Sequence, residues 1–190
     1  MRSLFAALLA TAGLALSACV TSVQLSTPVA NIDSIRQVTA SGIGPINVGA
    51  FSRGPALSSE KNRSINSRAV AITAPGGSFA AHLGETLKAE LNAAGKLDPA
   101  SGLEIAGLLT ESELHTLNTV MADASLAARF VLTRDGKVVY DKTLRVTDSW
   151  KPAFMGVEAI PDAINHYYGL YGTLARTLLQ DPDFIAAAKP

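Results

Sequence analysis

A predicted β-hairpin in the second half of the chain constrains the fold more than any other feature. Its turn is Asp135-Gly136, a dipeptide suited to the positive φ angles of two-residue hairpin turns. The segments on either side, RFVLT and KVVYDKTLRV, are rich in branched and aromatic residues that suit a pleated sheet. Together with an apolar segment further upstream, they predict a three-stranded antiparallel meander with strands at 103–115, 124–134 and 137–148.

Two amphipathic helices are predicted, one on each side of the meander in sequence. The first runs from Ser78, a suitable N-cap, to Ala94, with Gly95 just past its end. One stripe of this helix contains Phe79, Leu83, Leu87 and Leu91. The second helix is predicted to have Pro161 in its first turn, where proline is tolerated, and to end near Gln180. Its apolar seam contains Ile160, Ile164, Tyr167, Tyr171, Leu174 and Leu178.

The remaining segments predict short strands and polar connections. Strands are expected at 35–38, 46–51 and 68–74, a mobile polar loop at 52–67, and a frayed tail at 184–190. Because neither a helix face nor one side of a sheet can bury itself alone, the elements should pack together. We therefore predict a single α+β domain over 35–190: an antiparallel sheet, made of the meander plus one or two N-terminal strands, with two helices packed on one face.

The first nineteen residues have the pattern of a secretory signal. Arg2 supplies a positive charge, and the apolar run from Leu4 to Leu16 is shorter than the ~20 residues of a membrane span. Small residues then lead into Cys19, the only cysteine in the chain. The pattern predicts a signal peptide over 1–18 that is removed. An ordinary signal peptide with an accidental cysteine is the alternative.

Leu16-Ser17-Ala18-Cys19 resembles the lipobox of bacterial lipoproteins. The resemblance implies cleavage before Cys19, a diacylglyceryl thioether on its sulfur and a third acyl chain, such as palmitate, on its new amino group. One acyl chain binds a membrane marginally and two bind it stably, so three would anchor the protein firmly. Val20, in place of an aspartate that retains lipoproteins at the inner membrane, implies the periplasmic face of the outer membrane. Residues 19–34 are predicted to form the lipidated cysteine and a flexible tether.

The charge balance and the single cysteine exclude several function classes. Without the signal peptide the chain has 15 basic and 16 acidic residues, so no clustered positive charge is available for nucleic acid. Acylation of Cys19 would leave no thiol for disulfides or metal binding. The sequence predicts neither a cofactor nor a metal.

Three patterns that could carry chemistry have simpler explanations. Ser78 follows two glycines, as in a hydrolase nucleophile elbow, but Gly-x-Ser-x-Gly fails at Ala80, and a helix cap explains the serine. Gly76 and Gly77 could present N–H groups to an anion, although a turn is a sufficient explanation. We therefore predict that the protein is not an enzyme.

The third pattern is an alternation of polar residues on the first strand of the meander. Glu111, Glu113 and His115 would share one face of that strand and could hold a divalent metal. A solvated strand face explains the same alternation, and we predict no metal site.

A cluster of aromatic and flexible apolar residues is the candidate surface for a lipid or protein partner. Aromatic rings with polar tips suit interfaces, and methionine adapts to irregular apolar ligands. The cluster consists of Trp150, Phe154, Met155, Tyr167, Tyr168 and Tyr171. The alternative is that this connection folds over the sheet edge as part of the core.

Four segments resemble the PqiC-like lipoproteins that accompany ABC-type lipid transporters, and the YajG-like lipoproteins as well. They are INVGAF, FAAHLGETLKAELNAAG, RFVLTRDGKVVYDKTLRV and LARTLLQDPDF. The resemblance implies a non-catalytic binding or auxiliary component of an envelope lipid-transport system, with a membrane anchor, a protein partner and a lipid ligand. A structural or regulatory scaffold that binds protein partners but no lipid is the alternative. An apolar cavity lined by aromatics would favour lipid, and a filled core with an exposed apolar patch would favour protein.

Overall fold

The computed structural model describes residues 21–118 and 120–190. The predicted signal peptide and Cys19 therefore lie outside the described residues. In chain order the elements are β1 (Thr21–Gln24), α1 (Ile32–Ala40), β2 (Asn47–Arg53), β3 (Ser64–Ser67), β4 (Val70–Thr73), α2 (Phe79–Ala93), β5 (Leu103–His115), β6 (Ala122–Arg134), β7 (Lys137–Trp150), α3 (Gly156–Gln180) and α4 (Pro182–Ala188).

The predicted α+β class and the meander are confirmed, but the sheets are mixed rather than purely antiparallel. The main sheet has the order β2-β5-β6-β7, and β5, β6 and β7 form the antiparallel meander. Asp135 and Gly136 both adopt positive φ at its hairpin turn. Strand β2 instead pairs parallel to β5. The chain between these two strands contains α2, and a helical crossover returns a strand in its original direction.

A second, three-stranded sheet combines the strand predicted at 68–74 with segments predicted as tether and loop. Its order is β1-β4-β3, with β1 parallel and β3 antiparallel to β4. Strand β3 lies inside the predicted loop at 52–67, and Arg68, with φ of 55°, forms the turn between β3 and β4. The serine-rich sequence hid this strand because Ile65 is its single large apolar residue.

Residues 21–34 are folded onto the domain, in contrast to the predicted flexible tether. Strand β1 pairs with β4, and the buried Leu25 donates its N–H to the Thr73 carbonyl at 2.8 Å. A helix, α1, also replaces the strand predicted at 35–38. The side chain of Asn31 caps it by accepting from the N–H groups of residues 33 and 34, and Ser34 and Val38 face inward one turn apart.

Helices α2 and α3 both pack on the inner face of the main sheet, as predicted. The four apolar residues of the α2 stripe are buried, and each contributes ~1.5–3 kcal/mol through that burial. Helix α3 begins at Gly156, so Pro161 is its sixth residue and lies inside the helix rather than in the first turn as predicted. Proline leaves the carbonyl of Val157 without its helical donor, but Val157 is exposed, so water can take that place.

The C-terminal tail is ordered rather than frayed. Its last segment forms α4, and Phe184 and Ala188 are buried. Asp181 caps this helix through the N–H groups of Asp183 and Phe184 and pairs with Lys142 at 2.7 Å. Burial opposes ionisation of the Asp181 carboxyl, but Lys142 and the two N–H groups outweigh it and lower its pKa.

Candidate functional site

A groove beside strand β7 is the candidate functional site. It has a volume of about 540 Å³, and we call it the β7–α3 groove. Its lining residues are Thr147, Asp148, Asp162, Asn165, His166, Gly169, Leu170, Thr173 and Arg176. All but the first two lie on α3, which runs alongside the strand. The groove is therefore a strand edge with a helix next to it.

The centre of the groove is an imidazole held in a fixed orientation. The Nδ1 atom of His166 lies 2.7 Å from an Asp148 carboxylate oxygen, and its Nε2 lies 3.6 Å from Asp162. The ring stacks on Trp150 with a centroid distance of 4.1 Å and an interplanar angle of 5°. Arg176, further along the groove, donates to Thr173 at 3.0 Å. These groups offer donors and acceptors of both charges to a polar ligand.

Strand β7 is at the edge of its sheet, and two of its residues, Thr147 and Asp148, line the groove. In the described residues it pairs only with β6, over most of its 14 residues. An edge strand has unpaired N–H and C=O groups that can accept an added strand. Charged side chains at 137, 141, 142 and 145 discourage unselective pairing along it. A partner strand would need complementary charges.

The structure separates the six predicted surface residues. Tyr167 and Tyr171 are buried, and their hydroxyls form a chain with Ser112 at 2.7 and 2.9 Å. Burial raises the pKa of both phenols. Tyr168 is half-buried and donates to the Thr27 carbonyl at 3.1 Å. Tyr167 and Tyr171 therefore belong to the core, and the half-buried Tyr168 packs over it.

The other three predicted residues lie near one end of the main sheet. Trp150 is buried at the end of β7, where it supports His166. Phe154 is 92% exposed and Met155 is 60% exposed in the connection that follows. Some of the six candidate residues are therefore in the core and others are at the surface. The exposed ones, Phe154 and Met155, do not line the β7–α3 groove.

Ser78 has a structural role. Its hydroxyl accepts from the N–H of Ala81 at 3.2 Å, which confirms the predicted N-cap of α2. It also accepts from the side chain of Asn62 at 3.1 Å. Among the described residues no histidine is within hydrogen-bond reach of this hydroxyl: His115 pairs with Asp123, and His166 lies in the groove.

The N-terminus of α2 is already occupied by protein groups. Asn62 accepts from Phe79 with its backbone carbonyl at 2.8 Å and from Ala80 with its side chain at 3.0 Å. Ser78 satisfies the next two N–H groups. An anion would have to displace these partners. Asn62 could not be identified from the sequence, because it lies 16 residues upstream of the serine.

The polar face of β5 is a set of separate side-chain pairs. Glu111 binds Arg145 at 2.7 Å, Glu113 binds Lys61 and His115 binds Asp123. Hydrogen bonding to Arg145 lowers the pKa of Glu111. In residues 21–118 and 120–190 no three histidine or acidic side chains converge in a way that could hold a metal.

His166, Asp148 and Arg176 are site residues that the sequence did not single out. Asp162 and His166 are polar residues one turn apart on α3, so they share one face of the helix. This spacing is only a weak indication that the face lines a binding site. Asp148 is the last residue of the strand predicted at 137–148, and β7 continues beyond it to Trp150. Nothing in the sequence placed a helix beside this carboxylate. The meeting of strand end and helix depends on tertiary packing.

No protein-family model matches the chain, and no curated protein matches it. Among solved structures, a DUF330 protein from Xanthomonas campestris superposes with a TM-score of 0.60 at 11% identity, covering 87% of this chain and 96% of that one. A hypothetical protein from Chlamydia trachomatis gives 0.49 at 13% identity (76% and 99% covered). The minor lipoprotein of Acinetobacter baumannii gives 0.44 at 11% identity (74% and 91% covered). The first likeness shows that the two proteins share a fold.

None of the helices in the described part of the chain is long and apolar enough to cross a membrane.

Proposed function

We propose that this protein is a lipoprotein held by acylated Cys19 at the periplasmic face of the outer membrane. There it acts by binding, as a non-catalytic auxiliary component of an envelope lipid-transport system. The anchor is supported by Arg2, the apolar run that follows it and the Leu-Ser-Ala-Cys segment. The transport role is supported by the resemblance of four segments to auxiliary lipoproteins.

The β7–α3 groove is the observation that carries the binding function. An extended segment of a partner could add to the edge of β7 and place alternate side chains against α3. Backbone hydrogen bonds would supply affinity, and the polar groups around His166 and Arg176 would select the partner's side chains. Such recognition needs no catalytic group.

The packing of the core favours a protein partner over a bound lipid. Tyr167 and Tyr171 were candidates to line a lipid cavity, but they fill the space between α3 and the sheet and hydrogen-bond to Ser112. Phe79 packs edge-on against Tyr167 at 5.5 Å. A structural or regulatory scaffold that binds proteins but no lipid is therefore the second candidate function.

Two measurements test the proposal separately. Intact mass of the protein purified from membranes should equal a chain that begins at Cys19 with three acyl chains attached. For binding, a photo-reactive amino acid is placed at Asn165 in the groove, or as a control at Glu85 on the exposed side of α2. We expect a protein adduct from position 165 and none from position 85.

Each outcome bears on a different part of the proposal. An unmodified thiol or a retained signal peptide would contradict the anchor. Adducts to lipid alone at position 165 would replace the protein partner with a lipid ligand. Equal adducts at both positions would show that the groove is not the binding surface.

A further inference from the structure

One end of the main sheet exposes a cluster of large apolar side chains, which we call the apolar end. Its members are Leu117, Val120, Met121, Phe154, Met155 and Val157. Five of them come from the β5–β6 and β7–α3 connections, and Val157 is in the first turn of α3. The two connections lie side by side because Ala122 pairs with Trp150 where β6 meets β7. A cavity of about 700 Å³ is lined by residues of both connections. Exposed apolar patches of this kind mark interaction surfaces.

The turn between β3 and β4 is joined to the same end of the molecule. Ser67 donates from its hydroxyl to Thr116 at 3.3 Å, next to Leu117. The following residue, Arg68, lines the cavity and donates to the Ala153 carbonyl at 3.5 Å, next to Phe154. The second sheet is therefore held in place against the apolar end.

The register of β1 fixes where the lipid anchor would emerge. Strand β1 runs parallel to β4, and Thr21 lies opposite Val70, two residues after Arg68. The amino end of β1 is thus at the apolar end. Cys19 precedes Thr21 by two residues, and two residues of extended chain span at most about 7 Å. Acyl chains on Cys19 would enter a bilayer beside the exposed apolar side chains.

The charges at this end suit a bilayer surface. Arg68 and Lys151 both line the cavity, and long basic side chains can reach headgroup phosphates while apolar neighbours insert. Of the nearby acidic residues, Asp123 is held by His115, while Glu158 lies in the first turn of α3. The basic side chains of Arg68 and Lys151 therefore border the apolar side chains, together with the carboxylates of Asp123 and Glu158.

We infer that the apolar end is a membrane-docking face that inserts Leu117, Phe154 and their neighbours into the leaflet holding the acyl chains. The inference rests on the proposed acylation of Cys19. Docking fixes the orientation of the domain: the main-sheet strands rise from the membrane, and the Asp135-Gly136 turn is the distal tip. A second copy or a protein partner could also cover these side chains, but neither would require the anchor to emerge beside them.

A single-cysteine labelling experiment tests the inference on the acylated protein, because acylated Cys19 leaves no competing thiol. Phe154→Cys and Leu117→Cys are each labelled with an environment-sensitive fluorophore. The control is Val138→Cys, an exposed position at the opposite end of β6 and β7, about 40 Å away along a 13-residue strand. Vesicles of phosphatidylethanolamine and phosphatidylglycerol carry brominated acyl chains as quenchers.

We expect blue-shifted emission and quenching by bromolipid at positions 154 and 117, and neither effect at 138. Position 154 remaining unquenched on vesicle-bound protein would overturn the inference. So would burial of that fluorophore in detergent upon self-association, because it would assign the face to a second copy. Matching melting temperatures of the labelled and unlabelled proteins check that each variant is folded.

The unacylated chain separates this inference from the anchor proposal. A chain that begins at Val20 should still bind the same vesicles weakly, and Phe154→Asp should lower its partition coefficient about tenfold. Val138→Asp is the matched control and should change it little. If intact mass contradicts acylation while Phe154→Asp still weakens binding, the docking face is supported and the lipid anchor is contradicted. Equal partitioning of both variants overturns the docking face.

Discussion

His82 shows how burial sets the chemistry of a single residue. It lies on α2 and only 2% of it is exposed, with its ring edge-on to Tyr171 at 4.8 Å. Its Nε2 has no hydrogen-bond partner among the described residues. Burial lowers the pKa of the imidazole from 6.5 to about 4, against the opposing charge of Glu85. The folded protein therefore holds this ring neutral where the unfolded chain would protonate it.

Stability should consequently depend on pH through His82. Between pH 6.5 and 4 the unfolded chain binds the extra proton, so the free energy of unfolding falls as the pH falls through this window. The loss is on the order of 2–3 kcal/mol. His82→Phe should remove that part of the slope in urea unfolding measured from pH 7 to pH 4. Val138→Ala, at an exposed position without a titrating group, is the control and should keep it. An unchanged slope in His82→Phe would mean that the folded protein protonates the ring.

Single residues were predictable where their role is set by near neighbours in sequence. Ser78 caps α2 because the groups it satisfies lie three and four residues away, and this was foreseen. Tyr167 and Tyr171 were placed both in an apolar seam and in a surface cluster, and the seam was the better guide. His166 was missed because its partner, Asp148, lies 18 residues away on another element.

The contact of β2, β5 and α2 depends on one aromatic ring between two glycines. A Cβ atom at Gly107 on β5 would lie 2.4 Å from Phe51, and one at Gly84 on α2 would lie 3.0 Å from it. The ring from β2 therefore fills the space that both glycines leave open. This packing brings the parallel strand pair and the helix together.

Gly107→Ala should destabilise the domain by about 1–3 kcal/mol, because the ring must leave its position. Phe51→Ala in the same chain should recover part of that loss, and a double-mutant cycle by urea unfolding measures the coupling. Gly169→Ala is the control, because no atom lies within 4 Å of its added Cβ. It should be neutral or should stabilise α3 by up to about 1 kcal/mol. Additive effects of the Phe51 and Gly107 changes would contradict the proposed contact.

Elements were predictable when their signals were local. The Asp135-Gly136 turn determines the β6–β7 hairpin from a few neighbouring residues. The buried stripe of α2 is likewise recognisable from the spacing of apolar residues within that helix. The parallel pairing of β2 with β5 joins residues more than fifty positions apart, and no sequence pattern records it. Helix α1 was mistaken for a strand because a segment as short as Ile35 to Val38, with two polar residues between two branched apolar ones, suits both. The Asn31 cap was the signal that would have decided it.

At the scale of the whole molecule, the largest difference from expectation is where the domain begins. A polar, aperiodic sequence such as VTSVQLSTPVANIDS suits a tether, and its pairing partner, β4, is nearly fifty residues away. The docked segment has a functional consequence. If Cys19 is acylated, the protein has almost no free chain between membrane and domain, so its reach is set by the length of the folded body.

A truncation measures whether residues 21–34 belong to the domain. Compared with a chain that begins at Val20, one that begins at Ile35 loses β1, Leu25 and the Asn31 cap. We expect the truncation to lower the free energy of unfolding by about 2.5–4 kcal/mol, since Leu25 contributes ~1.5–3 kcal/mol by burial and the cap about 1 kcal/mol. Val29→Ser, in the exposed part of the segment, is the control and should change stability by less than about 0.5 kcal/mol. Equal stability of the two chains would show that residues 21–34 act as a flexible tether, and the domain would then not be held close to the membrane.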